Sequence, residues 1–453
     1  MKELSLFTNV RFWPLFWTQF CGAFNDNIFK VSLVLLILAQ GKDFTLWGMS
    51  PKILQSVALG IFILPFFLFS ATAGQLADKY DKASLIRLIK LGEVVIMTMG
   101  LLGFLGGYIG FLVLVLFLMG TQSTFFGPLK YSLLPQHLPA QALTAANGLI
   151  EMATFLAILL GTLLGGVLMS FKPYGLYTIA VLIVVIAVTG WLFSRRIPLA
   201  PASDPELAVR YNFMSQTAKQ LRFAWRSGEL FLVIFGISWF WYMGASLLTL
   251  LGPMVTAADE LQGVESLFTI LLTCLSIGIG LGSVLCDKLT AGRLSNHLVV
   301  IGTLGMVVFG IELYLTTASL IDSSPQLLDT IENNRRAMSL GAFFSQANGY
   351  RLLADLLLFG VFSGFYIVPL FVMLQLRSET AHRSRMIAVN NIINALLMVI
   401  ASLVVVLLTK AGFNSPQILL INALATLIAA GFLFWKMPEF IRDFLAWITR
   451  HRS

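Results

Sequence analysis

The sequence predicts an all-α membrane protein with twelve transmembrane helices in two pseudo-symmetric six-helix bundles. Three observations carry that prediction. Of 453 residues, 58% are hydrophobic and 11% are charged, against roughly 45–50% and about 25% in an ordinary soluble domain. The chain therefore lacks the charge to cover a water-facing surface of its size. A membrane-spanning helix takes about 20 apolar residues, so this hydrophobic content fills about a dozen spans. The long runs, such as Ile61–Phe69 and Ala180–Val188, do not alternate polar with apolar residues, as the strands of a membrane β-barrel do. A soluble enzyme, a nucleic-acid-binding domain and a disordered chain are excluded on the same grounds.

Apolar runs bounded by charge and turn residues place the spans near 12–39, 53–77, 84–106, 109–130, 142–169, 173–194, 230–257, 264–289, 297–317, 351–377, 383–409 and 416–436. Met1 to Arg11 is short, and no small-residue cleavage site follows a brief apolar core, so the first segment reads as a retained span. The longest polar interruption, 195–229, separates six spans from six. The expected organisation is a first bundle over 1–194, a basic linker over 195–229, a second bundle over 230–436 and a tail over 437–453. Within the linker, Tyr211–Arg226 reads as an interfacial amphipathic helix.

Lys and Arg in short loops set orientation. Of the 30 in the chain, 22 fall on one side, from Lys2 and Arg11 through Lys79, Lys82, Arg87, Lys90, the linker, Arg293 and Arg385 to Arg452; seven, including Lys42, Lys52 and Arg351, fall on the other, and Lys30 lies inside a span. Both termini and the linker are thus expected in the cytoplasm. The net charge of +8 is mostly topology, not a nucleic-acid footprint. Cys21, Cys274 and Cys286 sit in or beside apolar segments with no CxxC spacing, and read as small buried hydrophobes.

The halves repeat weakly. Gly74-Gln-Leu-Ala-Asp78-Lys79 is echoed by Ser283-Val-Leu-Cys-Asp287-Lys288, Pro128-Leu129 by Pro369-Leu370, and Ala146-Asn147 by Val389-Asn390. Paired bundles of this kind bind substrate near the midplane and alternate access by rocking.

With most cations assigned to topology, the polar residues inside spans form a short list. Asn25-Asp26-Asn27 and Lys30 lie in the first. Charge at membrane depth usually faces a cavity or a partner. Asp26 and Lys30 are four apart on one helix face, so a self-contained ion pair is one reading. The other has Asp26 and Asn27 lining a cavity, because three consecutive polar residues cover most of the helix circumference. Lys130, at the end of the fourth span, either snorkels to the surface or contacts a phosphate. Asn147 and Glu151 share a face deep in the apolar run Leu143–Met169, where packing alone does not explain a carboxylate. Asn390, Asn391 and Asn394 in the eleventh span are either glue between helices or substrate ligands. Trp241 and Tyr366 belong either to the interfacial aromatic belt or to an acyl-chain contact. Glu93, Glu312 and Asp355 read as buried or partnered. Four scattered histidines, with no nucleophile elbow, phosphate-binding loop or metal spacing, give no catalytic, cofactor or metal constellation.

Gly74-x-x-x-Asp78-Lys79-x-x-Lys82 resembles the loop signature of the major facilitator superfamily, with Asp81 where a glycine is usual. Read that way, Gly74, Asp78, Lys79, Asp287 and Lys288 mark a gate. More specifically, Gly127-Pro-Leu-Lys-Tyr131, Ala146-Asn-Gly-Leu-Ile-Glu151, Ala157-Ile-Leu-Leu-Gly161 and Phe24-Asn-Asp-Asn27 resemble the bacterial lysophospholipid transporter family, a branch of that superfamily. Gly236–Trp241, Gly278–Ser283 and Arg383-Ser-Arg385 with Asn390-Asn391 and Asn394 are similar to larger relatives that fuse the transporter to an acyltransferase and an acyl-carrier-protein synthetase. The chain ends near where such a fusion would continue, and so reads as a stand-alone member or as the membrane domain of a longer protein.

The resemblance implies flipping of lysophosphatidylethanolamine or lysophosphatidylglycerol from the outer to the inner leaflet of the bacterial inner membrane, for re-acylation. Asp26, Asn27, Lys130, Asn147 and Glu151 are the matching head-group candidates. Two rivals stand beside it: a proton-coupled small-solute or drug transporter, and a membrane anchor for an acyltransferase. The run Gly161-Thr-Leu-Leu-Gly165-Gly166 lacks the Gly-Pro pair of drug/proton antiporters, which lowers the first.

Overall fold

The computed structural model describes residues 6–41, 44–290, 295–332 and 335–450, apart from the side chains of Lys52, Leu59 and Arg450. Of the charges used for orientation, Lys2, Lys42, Arg293 and Arg452 lie outside the described residues, as does His451. Twelve helices are long and apolar enough to cross a membrane among the described residues. In chain order the helices begin with α1 Trp13–Leu38, α2 Pro51–Lys79, α3 Lys82–Gly106, α4 Ile109–His137, α5 Leu143–Ser170, α6 Gly175–Ser194 and α7 Phe213–Arg226. They continue with α8 Glu229–Thr256, α9 Glu265–Thr290, α10 His297–Ser323, the short α11 Leu340–Ser345, α12 Ala347–Arg377, α13 Arg383–Lys410, α14 Ser415–Lys436 and α15 Glu439–Arg450. All but α7, α11 and α15 are the expected spans. A multi-pass membrane protein follows, because only helices and closed barrels satisfy every backbone polar group in lipid.

The helices sort into two compact units. The first comprises 1–146, 156–231 and 374–395, so it includes the end of α12 and the start of α13. Here α2 packs on α4, α3 on α4 and α6, and α1 on α6, α4 and α2. Phe29, Leu33, Met97, Phe104, Leu112 and Ile183 belong to its apolar core, where the Phe29 and Phe104 rings lie 5.1 Å apart. Lipid tails are as apolar as these side chains, so close packing and hydrogen bonds between helices must supply the association. Asn25 provides one such bond: its Nδ2 donates to the Ile183 carbonyl at 3.0 Å. Helix α4 runs through Pro128 and Pro135 to His137, seven residues past the expected end. Neighbouring helices re-satisfy backbone groups freed by a proline, so Pro is a weaker stop here than in water.

The second unit comprises 147–155, 232–373 and 396–453. A close crossing joins α9 to α12 through Gly278 and Gly282 on one and Gly360 and Gly364 on the other. A Cβ on Gly360 would stand 2.6 Å from the Leu275 carbonyl oxygen and 2.8 Å from the Ile279 nitrogen. Spacing of four puts each glycine pair on one face, the small-residue pattern that lets membrane helices approach closely. Helix α10 packs on α14 and α15. An antiparallel hairpin, β1 Leu328–Glu332 and β2 Arg335–Met338, was not expected from the sequence. Its strands are short and lack a long alternating run, and it is fixed by Met338 N–H to the Gln262 carbonyl at 2.8 Å and Val264 N–H to the Met338 carbonyl at 3.1 Å.

Helix α7 departs from the interfacial reading in one respect. Its buried stripe is Gln216, Gln220 and Ala224, and it faces protein: Gln220 Nε2 donates to the Ala71 carbonyl of α2 at 2.9 Å. The tail carries α15, whose Phe440 is fully buried and whose Trp447 stacks on His297 at 5.3 Å.

Candidate substrate site and gate

Helices α1, α3 and α4 bring polar side chains together inside the first unit. Lys90 and Glu93, both on α3 and both at most 2% exposed, form an ion pair of 2.6 Å. Gln122 of α4 donates through Nε2 to the same Glu93 oxygen at 3.0 Å. The adjacent Ser123 hydroxyl donates to Asp26 Oδ2 at 2.9 Å, with Gln122 Oε1 as its other acceptor at 3.3 Å. Asp26 is half-buried, and its carboxylate accepts from Ser123 while Lys30, whose ammonium lies over the Phe62 ring at 4.7 Å, acts on it through its charge. The pair is thus not self-contained, since Ser123 and Phe62 also engage it. Asn27 is buried and donates to the Ala23 carbonyl one turn back, at 2.7 Å.

Lys90 is a correction. Counted as a loop cation, it lies fully inside α3, with the Phe126 ring 4.6 Å from its ammonium. Burial of a charge requires a partner, and Glu93 three residues on supplies it. Glu312 and Asp355 are also partnered: Glu312 pairs with Arg351, and Asp355 accepts from the Thr316 hydroxyl at 2.8 Å.

Lys130 does not simply snorkel. Its ammonium donates to Gln19 Oε1 at 3.2 Å and lies 4.4 Å from the Tyr131 ring centre. In the second unit, Asn147 and Glu151 are fully buried one turn apart on α5. Between them Gly148 lies against the Ser283 carbonyl of α9. Trp241 stacks on Phe155 with ring centres 6.4 Å apart, and Tyr366 donates its hydroxyl to the Gly236 carbonyl at 3.0 Å. Asn390 on α13 is fully buried, Asn391 lies against Gly127 of α4, and Asn394 is half-buried.

The residues expected to mark a gate are built differently from one another. A helix start leaves orphan N–H groups, and Asp78 serves those of α13. Its carboxylate accepts Ser384 N–H at 3.1 Å, Arg385 N–H at 3.3 Å and Arg385 Nε at 2.9 Å. A negative charge at the positive end of a helix dipole is favourable. Gly74, one turn earlier, permits the approach: a Cβ there would stand 2.7 Å from the Ala388 Cβ. Linker residues strap this corner, since Ser203 and Asp204 N–H both reach the Asp78 carbonyl at 2.9 Å. Asp204 Oδ2 also accepts from Arg385 Nη2 at 3.0 Å. Asp81 now has a role in place of the usual glycine. It caps α3 by accepting Ser84 N–H at 2.7 Å and holds the linker by accepting Ala200 N–H at 2.7 Å. Lys79 stays apart, over the Tyr80 ring at 5.9 Å. Asp287 is buried on α9 and Lys288 is exposed, both in the second unit.

The sequence profile of the Major Facilitator Superfamily matches residues 15–326, more than half of the chain. The chain belongs to that superfamily. Within the Major Facilitator Superfamily it is 28% identical over 448 residues to the lysophospholipid transporter LplT of Enterobacter sp. (strain 638), covering 96% of this chain and 99% of that protein. It is 29% identical over 383 residues to the LplT of Klebsiella pneumoniae subsp. pneumoniae, covering 83% and 82% respectively. Two solved structures share the fold. A bacterial homologue of the iron transporter ferroportin in an outward-facing state superposes with a TM-score of 0.66 at 15% identity, over 95% of this chain and 100% of that one. The Major Facilitator Superfamily transporter FucP in its outward conformation gives 0.65 at 14%, over 93% and 98%.

Four residues of this Major Facilitator Superfamily chain escaped the sequence reading: Gln19, Lys90, Gln122 and Ser123. Gln122 and Ser123 had a usable signal, four consecutive polar residues, Thr121–Thr124, within an apolar run. Lys90 had none, because it follows Arg87 by one turn and resembles a loop cation.

Proposed function

We propose that the chain is a lysophospholipid transporter of the bacterial inner membrane. In this reading it moves lysophosphatidylethanolamine or lysophosphatidylglycerol from the outer to the inner leaflet by alternating access, for re-acylation by a cytoplasmic acyltransferase. The observation that carries this is the likeness to lysophospholipid transporters along nearly the whole length of both chains. The chemistry of the first unit supports it. A half-buried carboxylate, Asp26, and a half-buried ammonium, Lys130, match the two charges of a zwitterionic head. The bundles divide at 1–194 and 230–436, joined by the 195–229 linker and followed by the 437–453 tail, with both termini cytoplasmic. Asn27, Lys30, Asn147, Glu151, Asn390, Asn391, Asn394, Trp241 and Tyr366 are the further substrate residues. Gly74, Asp78, Lys79, Asp287 and Lys288 form the gate.

Labelled lysophosphatidylethanolamine supplied to spheroplasts tests the proposal. Cells carrying the chain should acquire internal label, and Asp26→Ala should lose most of it. Label no higher than in cells without the chain refutes the proposal.

A further inference from the structure

The Lys90–Glu93 pair is more than filling. Two ammoniums, Lys30 and Lys90, and two carboxylates, Asp26 and Glu93, stand on α1 and α3 in one connected region of the first unit. Their ordinary charges sum to zero. The pair reaches the half-buried Asp26 through two side chains only, Gln122 and Ser123, at 3.0 Å and 2.9 Å. The Ser123 hydroxyl has a single proton and two acceptors, so it pins Asp26 only while it is not turned to Gln122. Glu93 uses one oxygen for both Lys90 and Gln122, which fixes the amide orientation and leaves Gln122 Oε1 as that second acceptor. Lys90 in turn fills the space over Gly22 of α1 and meets the Phe126 ring face.

We infer that Lys90 and Glu93 determine head-group selectivity by setting the charge behind Asp26, as positioning residues that do not touch the lipid. The inference rests on the lysophospholipid reading above. A balanced cluster accepts a zwitterionic head, whereas excess positive charge favours an anionic one and excess negative charge disfavours it. Glu93→Gln leaves the cluster at +1, and Lys90→Met leaves it at −1. A unit charge about 10 Å from a head-group charge, at an effective dielectric of about 20, shifts binding on the order of tenfold.

The test uses the full chain in proteoliposomes supplied with equal amounts of lysophosphatidylethanolamine and lysophosphatidylglycerol carrying different labels. Both lipids are read in the same vesicles, so their ratio does not depend on how much of a poorly inserted variant is present. Glu93→Gln should raise the glycerol-to-ethanolamine ratio about tenfold and Lys90→Met should lower it by a similar factor. The double variant Lys90→Met/Glu93→Gln, neutral again, should return to the wild-type ratio. A merely structural pair would lower both fluxes together. Single variants with the wild-type ratio, two singles shifting the same way, or a double variant with a shifted ratio overturns the inference. Transport of neither lipid by the wild-type chain sinks the functional reading, and this one with it.

Discussion

Removing the Asp78 carboxylate tests how firmly the start of α13 is held. Asp78→Ala deletes three hydrogen bonds, to Ser384 N–H, Arg385 N–H and Arg385 Nε, from a residue that is fully buried. Breaking a buried charge pair by deleting one partner costs about 3–5 kcal/mol. Arg385 keeps Asp204 and the Ala381 carbonyl, which places the loss at the lower end, near 3 kcal/mol. Since about 1.4 kcal/mol is tenfold, opening of this corner should become about 100-fold more favourable. Ser384→Cys provides the reporter, because Ser384 is fully buried and the substitution keeps the N–H that donates to Asp78. In a background with Cys21, Cys274 and Cys286 replaced, a water-soluble thiol reagent should label this cysteine slowly. Adding Asp78→Ala should raise the rate by up to the same factor. Asp78→Asn keeps an acceptor but no charge and should fall between. An unchanged rate in Asp78→Ala refutes the account in which the Asp78 carboxylate holds the start of α13.

Four further outcomes follow from the same structure. Asp204→Asn removes an ion pair whose side chains are 17% and 27% exposed; such pairs are worth about 1 kcal/mol or less, so the Ser384→Cys labelling rate should rise no more than about fivefold. Gly282→Leu drives a side chain into the Val361 backbone and should lower the unfolding midpoint sharply or abolish folded yield, by about 3 kcal/mol or more. Gly244→Ala, with open space around it, should instead stabilise α8 by roughly 0.5–1 kcal/mol. Glu260, in the turn after α8, is pushed above the usual carboxylate range by burial, partly opposed by the Ser415 N–H at 2.8 Å. Folding therefore favours its protonated form, and its contribution to stability is present below about pH 4.3 and lost as pH rises. Thermal melts across that range should show a smaller decline for Glu260→Gln than for the wild type.

The spans were legible because lipid imposes one rule, a long apolar helix, and each boundary lies at a charge or a turn residue. The end of α4 was misplaced because the charge at Lys130 reads as a span boundary, whereas the helix continues through Pro135 to His137. Asp26 and Glu151 stood out for the opposite reason: a carboxylate in an apolar run has no packing explanation. The partners of Lys82 and Lys90 were invisible because cations near a span end look like orientation signals. Only the fold shows that Lys82 reaches the Ser203 hydroxyl at 2.7 Å and Lys90 meets Glu93. The bonds of Asp78 to Ser384 and Arg385 cross more than 300 residues of chain, a separation that no local pattern encodes. Asp81 is the reverse case: a departure from a familiar motif that capping and the linker explain.

The most direct measurement is leaflet-resolved transport by the purified chain in proteoliposomes, with fluorescent lysophosphatidylethanolamine placed in one leaflet and quenched from outside. The wild-type chain should carry label to the protected leaflet faster than protein-free vesicles, and Asp26→Ala should bring the rate back towards theirs. A wild-type rate equal to that of protein-free vesicles contradicts the account.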